Sequence, residues 1–397
     1  MIILGVFYNR EFRTGGHTRY IELMEGLARR GHHVHVLLNS FLQYNPLFFE
    51  PLRRPVVYRR NGFPPASWIF AAAAEKEVAG LLHRIGSSDA VVVFGETHLA
   101  AGKVLARALK TILVYAHRSN GVRAALAFSA EARRMPVRRL SLLPRMAKAM
   151  LDERRIARLA DLVVFQSAYD LEDFRSRVAI PRERVVIVPG DITGPRFRAE
   201  CAEVNSSTAV KRIAFMGTLG QRKGVDYLVE AARILRSRGH GDLRFEICGP
   251  GERLKELGAL LSRQGLSEMV SLRGKVADPF PVLKDTDLLV VPSLFDSYPN
   301  SVLEALHVGT PVIGSRVGGI PDQLRYDDLL FPPMDAQAIA DRIERCVCEP
   351  AFYQSLRQLC SERRASFVFD WPEAWERAIG TRVAELKKAK DDQARRS

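Results

Sequence analysis

The sequence has few cysteines and no long apolar run. Its 397 residues include 5 cysteines without a C-x-x-C pair, so neither a disulfide framework nor a zinc site is indicated, and a reducing, cytoplasmic setting is expected. No charged segment precedes the first apolar run, and no apolar stretch reaches about 18 residues. The sequence therefore predicts neither a signal peptide nor a membrane span, and any membrane contact is expected to be peripheral.

Common nucleotide-binding patterns are also missing. There is no G-x-x-x-x-G-K-[ST] segment, and Gly249-Pro250-Gly251 lacks the third glycine of a dinucleotide fingerprint. The net charge of +14 fits nucleic acid, anionic lipid or a phosphorylated substrate, and charge alone does not choose among them. Because no RNA-binding aromatic run, zinc-finger spacing or basic heptad helix occurs, nucleic acid is not the expected partner.

Length and composition predict two folded α/β domains. Hydrophobic residues make up 47% and charged residues 26% of the chain, the balance of a globular protein with sizeable cores. The apolar run Ile2–Phe7, a glycine turn, a helical pattern ending at Gly31 and a second apolar run make up a βαβ unit. Further strands of the first half are predicted at 33–38, 90–94, 111–115, 162–165 and 185–188.

The second half repeats this pattern from Arg212 onward. Strands are predicted at 212–216, 244–248, 270–273, 288–291 and 311–314, alternating with helices, which indicates a second open parallel sheet. We predict an N-terminal domain at 1–190, a linker at 191–208 and a C-terminal domain at 209–370. The last segment, 371–397, has a helical pattern from Trp371 to Lys390 and is expected to pack back on the N-terminal domain.

Polar residues concentrate where the strands of the second half end. The richest run is Val290-Val291-Pro292-Ser293-Leu294-Phe295-Asp296-Ser297-Tyr298-Pro299-Asn300-Ser301-Val302-Leu303-Glu304-Ala305-Leu306, in which seven positions separate Asp296 from Glu304. With Gly217 to Gly224 and Gly15 to Tyr20, this run resembles the retaining glycosyltransferases of family 4. The resemblance covers nearly the whole chain and is thinnest from Gln43 to Ala74.

The resemblance implies a GT-B fold, in which two Rossmann-like parallel-sheet domains face a central cleft. It implies a nucleotide-diphosphate sugar as donor and a glycan, lipid-linked or small-molecule acceptor, without a cofactor or required metal. The resemblance favours a UDP-sugar as donor, on the frequency of UDP within the family. The residues matching the donor site are Gly16, Arg222, Lys223, Ser297, Tyr298, Pro299, Asn300, Ser301 and Glu304.

The expected catalytic residues are His117, Asp296 and Lys223. The resemblance places Asp296 near the reacting sugar and His117 opposite it, and Glu304 on the ribose hydroxyls. Fixed cations stabilise a leaving diphosphate more as its charge grows, a task suited to Lys223 and Arg222. The implied retaining reaction passes the acceptor proton to a phosphate oxygen, so no side chain is assigned as general base.

Two positions depart from the family pattern, and other functions remain open. Asp296 replaces the usual glutamate, and Thr218 stands where many members have an arginine, a role that Arg222 is available to take. The alternatives are another GT-B nucleotide-sugar enzyme, such as an epimerase, a weakly catalytic donor-binding subunit, and a basic nucleic-acid-binding protein.

Three further patterns have competing interpretations. His32-His33-Val34-His35 fits an alternating strand better than a metal site, and Asp285-Thr286-Asp287 fits a strand entry better than a metal-binding D-x-D. The segment from Arg123 to Arg155 contains nine Lys or Arg and three acids, interspersed with apolar residues. This basic stretch suits either an anionic membrane surface at the inner face of the cell membrane or a solvated helical excursion.

Overall fold

The structure is a computed structural model that describes residues 1–7, 15–39, 56–60, 85–118, 120–131, 143–194, 197 and 209–396. The chain divides into two compact units. The first contains Met1–Asn120, Ala147–Pro189 and Asp370–Ser397, and the second contains Gly121–Met146 and Gly190–Phe369. The described residues 121–131 and 143–146, which the predicted N-terminal domain includes, fall in the second unit of this division.

The first unit is built on a seven-stranded parallel sheet in the order β3-β2-β1-β4-β5-β6-β7. Its central strands are fully buried runs of β-branched and aromatic residues, the pattern of a sheet covered on both faces. The strands are β1 Ile2–Phe7, β2 His33–Asn39, β3 Val56–Arg60, β4 Ala90–Phe94, β5 Ile112–Ala116, β6 Leu162–Phe165 and β7 Val185–Ile187.

The second unit repeats this topology with six parallel strands in the order β10-β9-β8-β11-β12-β13. In both sheets the strand order reverses beside the first strand, and in open α/β sheets ligands bind at that switch point, outside the carboxyl ends of the strands. The strands are β8 Arg212–Met216, β9 Arg244–Cys248, β10 Val270–Gly274, β11 Leu288–Val291, β12 Val312–Ser315 and β13 Leu330–Phe331.

The helices follow the apolar periodicity of the sequence. Helix α6, for example, buries Leu228, Ala231, Ala232 and Leu235 at helical spacing. The described helices are α1 Gly15–Arg29, α2 Leu99–Ala108, α3 Gly121–Glu131, α4 Leu143–Leu159, α5 Ala168–Arg175, α6 Val225–Ser237, α7 Leu254–Arg263, α8 Pro279–Lys284, α9 Asn300–Val308, α10 Ile320–Leu324, α11 Ala336–Cys348, α12 Pro350–Ala365 and α13 Trp371–Arg396.

The C-terminal helix α13 belongs to the first unit and packs against α1. Trp375 is 2% exposed and stacks on Phe94 with ring centroids 6.0 Å apart. A side chain at Gly26 would collide with Pro372, so glycine allows the two helices to approach closely. Arg30 donates to Asp370 at 2.7 Å, at the start of this segment.

The two Rossmann-like parallel sheets confirm the predicted fold class, with three differences in detail. Strand β3 lies in the stretch where no strand was predicted, and the two-residue strand β13 was also missed. Helix α13 continues six residues beyond Lys390, to Arg396. Of the predicted linker, Ile192 and Phe197 are buried in the core of the second unit, 4% and 6% exposed.

Candidate functional site

The predicted donor residues of the second unit gather at the carboxyl edge of its sheet. Strand β8 leads into a loop and one 3-10 turn, Gln221–Lys223, while β11 leads into residues 292–299 and then α9. The backbone N–H of Leu294 donates to the carbonyl oxygen of Arg222 at 2.8 Å, which joins the two loops. Residues about 70 positions apart in sequence thereby form one polar surface.

Asp296 is the centre of this surface. Its carboxylate forms an ion pair with the ammonium of Lys223, and Arg222 Nη1 lies 3.7 Å from Asp296 Oδ1. Burial by itself raises the pKa of Asp296, but the charges of Lys223 and Arg222, with the Lys223 hydrogen bond and the Tyr298 N–H, outweigh it and hold the pKa below its ordinary value. Asp296 is therefore a buried carboxylate that stays ionised at neutral pH.

Two glycines give Asp296 and Lys223 their positions. Gly224 has φ +65° and Gly318 has φ +54°, both in the left-handed region. A β-carbon at Gly224 would collide with the carbonyl oxygen of Pro292, and one at Gly318 with that of Asp296. The N–H of Gly319 donates to the same Asp296 oxygen at 2.9 Å. Neither Gly318 nor Gly319 was given a role from the sequence, and the structure shows that they position Asp296.

The other predicted donor residues lie on the same loop and the first turns of α9. Ser297 and Ser301 are 5% and 8% exposed, and Tyr298 is 8% exposed. Ser297 Oγ and the neighbouring Ser293 Oγ are buried and make no hydrogen bond to any described residue. Asn300 begins α9, and Glu304 is half-buried one turn further on. These residues thus follow Asp296 along one continuous segment: Ser297, Tyr298, Pro299, Asn300, Ser301 and Glu304.

Gln323 and Arg363 support this segment and were not identified from sequence. Gln323 is fully buried on α10 and donates through Nε2 to the carbonyl oxygen of Pro299 at 3.1 Å. Arg363 of α12 donates through Nε to the Gln323 carbonyl oxygen at 2.7 Å. No spacing signal links three residues so far apart in sequence, because only the packing of α12 on α10 brings them together.

His117 lies in the first unit, directly after β5. Its backbone N–H donates to the carbonyl oxygen of Val164 at 2.8 Å, and its ring packs on Phe165 with centroids 4.7 Å apart. The side chain is 2% exposed overall, and Nδ1 makes no hydrogen bond to any described residue. Tertiary packing therefore fixes the ring while leaving one nitrogen without a protein partner in the described structure.

A buried ionic network stands behind His117. Arg177 donates to Glu153 at 2.7 and 2.8 Å and lies 2.6 Å from Asp173, which accepts a hydrogen bond from Asn120 at 2.6 Å. Burial, together with the positive charge of Arg177, lowers the pKa of His117 to about 4, although Asp173 opposes the shift. At neutral pH the imidazole is consequently uncharged.

This low pKa predicts a pH-dependent stability. The folded state keeps His117 neutral down to about pH 4, whereas a histidine in the unfolded chain takes up a proton near its ordinary pKa of 6.5. The free energy of unfolding should therefore fall as pH drops from about 6.5 to 4, by on the order of 3 kcal/mol from this residue. Urea unfolding of the wild type and of His117→Gln across this pH range measures this fall in unfolding free energy.

The variant supplies its own control. At pH 8 the difference in unfolding free energy between the two proteins reports the lost packing of the imidazole. The change of that difference between pH 8 and 4 reports the protonation of His117. Parallel stability curves for the two proteins would show that His117 is not the group responsible.

The other residues singled out from the sequence lie in helices or strands or at their starts. Gly16 lies in the first turn of α1, and residues 8–14 before it are outside the described part of the chain. His33 and His35 are in strand β2, as the alternation predicts. Asp287 accepts hydrogen bonds from the N–H groups of Lys211 and Arg212 at 2.9 and 2.8 Å, which confirms a strand entry. No cluster of three or more His, Cys, Asp or Glu suited to a metal occurs among the described residues.

Gly249-Pro250-Gly251 packs beside the loop that carries Lys223. The N–H of Leu219 donates to the carbonyl oxygen of Pro250 at 2.8 Å, and the N–H of Gly217 to that of Cys248 at 2.9 Å. A side chain at Gly251 would press against Leu219. The segment thus shapes one edge of the polar surface around Asp296 and Lys223.

Two family models match the chain, one in each half. "Glycosyltransferase Family 4" matches residues 14–190, and "Glycosyl transferases group 1" matches residues 210–349. The second match contains Lys223, Asp296 and Glu304, and the first contains His117. The chain belongs to glycosyltransferase family 4.

Individual proteins resemble this chain in sequence or in fold. The α-D-kanosaminyltransferase of Streptomyces kanamyceticus is 26% identical over 54% of this chain and 57% of its own length, so the match spans about half of that relative. The structure of sucrose-phosphate synthase from Thermosynechococcus elongatus superposes with a TM-score of 0.74 over 100% of both chains, at 19% identity. HepE of Anabaena, solved with UDP and glucose, gives a TM-score of 0.70 over 98% of this chain and 100% of its own, at 16% identity. These likenesses establish the GT-B fold.

Proposed function

We propose that this protein is a retaining, metal-independent glycosyltransferase that moves a hexose from a nucleotide-diphosphate sugar to an acceptor. The observation that carries the proposal is the cluster of Lys223 and Arg222 around the buried carboxylate of Asp296. Two fixed cations at the carboxyl edge of a Rossmann-like sheet suit a diphosphate leaving group, whose negative charge grows as the glycosidic bond breaks.

The surrounding residues complete a donor site in this proposal. When a diphosphate binds, Lys223 and Arg222 share their hydrogen bonds between Asp296 and the phosphate oxygens. The buried hydroxyls of Ser293 and Ser297 donate hydrogen bonds to the same ligand. Asp296 then accepts from the sugar hydroxyls. The neutral imidazole of His117 offers Nδ1 to another sugar hydroxyl, and Glu304 accepts from the ribose.

We propose a UDP-sugar as donor, and a glycan, lipid-linked or small-molecule acceptor of a cell-surface polysaccharide or glycoconjugate pathway. HepE, a structural neighbour of the same fold, is solved with UDP and glucose. The cysteines in the described structure are all free thiols, Cys248, Cys346, Cys348 and Cys360, which suits work in the cytoplasm.

Nucleotide binding and product analysis test the proposal separately. Isothermal calorimetry with UDP, GDP and ADP, with magnesium and with a chelator, should give one preferred nucleotide whose affinity is independent of the metal. The matching α-linked sugar nucleotides, offered with a panel of acceptors, should give an α-linked product by NMR. A β-linked product would overturn retention, and binding to polynucleotides with no affinity for any nucleotide diphosphate would overturn the function itself.

A further inference from the structure

Helix α4, Leu143–Leu159, presents large apolar side chains to solvent. Leu143, Leu151 and Met150 are 59%, 56% and 39% exposed. Among the described residues only three other large apolar side chains are as exposed: Ile187, at the end of β7, and Met334 and Val368, which lie in two separate connections between elements. Isolated exposed apolar residues are ordinary, whereas three within nine positions of one helix make a patch.

The opposite face of α4 is what attaches the helix to the protein. Ile156 and Ala157 are 1% and 7% exposed, and the buried carboxylate of Glu153 receives two hydrogen bonds from Arg177. These contacts occupy the face that the helical period assigns to the interior. The exposed apolar side chains are therefore not part of that core contact.

The exposed face of α4 is also strongly basic. Arg145, Lys148, Arg154, Arg155 and Arg158 are all exposed. Of the acids on the helix, Glu153 is buried against Arg177, and Asp152 is held by Lys148 at 2.5 Å and lies 3.9 Å from Arg155. The accessible charge of this face is thus positive.

Apolar and cationic side chains share one side of the helix. Leu143, Met150, Arg154 and Arg158 follow at intervals of seven, four and four residues, and Leu151 and Arg155 are again four apart. Residues at these intervals lie along one helix face. The two leucines and the methionine point outward within the first nine residues of the helix, and arginines continue the same face toward the C-terminal end.

We propose that this face of α4 docks the protein on the surface of a membrane that contains anionic lipids. A helix lying in the interface places leucine and methionine among the upper acyl chains while arginines contact lipid phosphates. The apolar side chains favour a bilayer over nucleic acid, because a phosphate backbone gives exposed leucine nothing to bury against. No described helix is long and apolar enough to cross a bilayer.

Vesicle flotation of the full chain tests this inference independently of the transferase reaction. The wild type should float with phosphatidylcholine vesicles that contain phosphatidylglycerol, and much less with phosphatidylcholine alone. Leu143→Ser/Leu151→Ser should lower the partition coefficient roughly tenfold or more, because apolar burial is lost. Arg154→Ala/Arg158→Ala should lower it by roughly thirtyfold and weaken its dependence on salt.

Matched substitutions elsewhere separate docking from general effects. Val368→Ser removes an apolar side chain that is 61% exposed, and Lys255→Ala/Arg263→Ala removes two exposed cations of α7; both should float as the wild type does. All variants should unfold at the wild-type temperature, since the replaced side chains face solvent. Equal flotation with both lipids, flotation unchanged by the leucine variant, or polynucleotide binding that depends on Arg154 and Arg158 while vesicles are ignored would each overturn the proposal.

Discussion

Lys223→Ala should lower turnover by about 10²- to 10³-fold, because in the proposed reaction it removes a fixed cation from the place where charge develops on the leaving diphosphate. It should also lower the free energy of unfolding at neutral pH by about 3 kcal/mol, since Asp296 is left buried with Arg222 as its remaining cation. Steady-state kinetics with the preferred donor and urea unfolding measure the two effects.

A second substitution separates these two roles of Lys223. In Lys223→Ala/Asp296→Asn the buried carboxylate is gone, so much of the stability should return while turnover stays low. Asp296 in the wild type has a lowered pKa, so its contribution to stability is present above an ordinary aspartate pKa and is lost as the pH falls through the folded value. Wild-type turnover in Lys223→Ala would exclude the assigned role.

Glu304→Gln should weaken binding of the nucleotide by about 10²-fold, because hydrogen bonds to a carboxylate contribute about 1.5 to 3 kcal/mol each. Glu304 is half-buried on α9, so the fold should be unaffected, with a change in unfolding free energy within about 0.5 kcal/mol. Calorimetric titration with the nucleotide diphosphate measures the loss. Glu230→Gln, at a glutamate of α6 whose side chain is 40% exposed, is the matched control and should bind as the wild type does.

The ligand itself tests which hydroxyls Glu304 contacts. The wild type should bind the 2′,3′-dideoxy nucleotide much more weakly than the natural one, whereas Glu304→Gln should bind the two with similar affinity. Such a cycle isolates the interaction between one side chain and the ribose. If the variant keeps the full preference for the natural nucleotide, another residue holds the ribose.

Local sequence patterns were enough to predict most of the fold. Strands β4, β6, β9 and β11 have the predicted bounds, because each is a short apolar run between polar or glycine-containing turns. Strand β3 was missed. It adds an edge strand beside β2, and the pairing depends on a distant strand and not on its own sequence pattern.

The sequence was enough to locate the polar surface around Asp296 but not to predict its contacts. Placing the polar residues after β8 and β11 predicted that Lys223 and Asp296 lie at one sheet edge, because parallel strands end together. Their ion pair, the role of Arg222 beside it and the resulting low pKa of Asp296 needed the folded loops.

The amino-acid sequence by itself determined the two parallel sheets, the order of strands and glycine turns, and the family motif from Asp296 to Glu304, since these follow from short-range periodicity and residue type. Only the tertiary structure decided that Gly318 and Gln323 support Asp296 and its loop, and that α4 keeps apolar side chains in solvent. The physical reason is the same in each case: burial and collision depend on which surfaces meet in space, and residues far apart in sequence supply those surfaces.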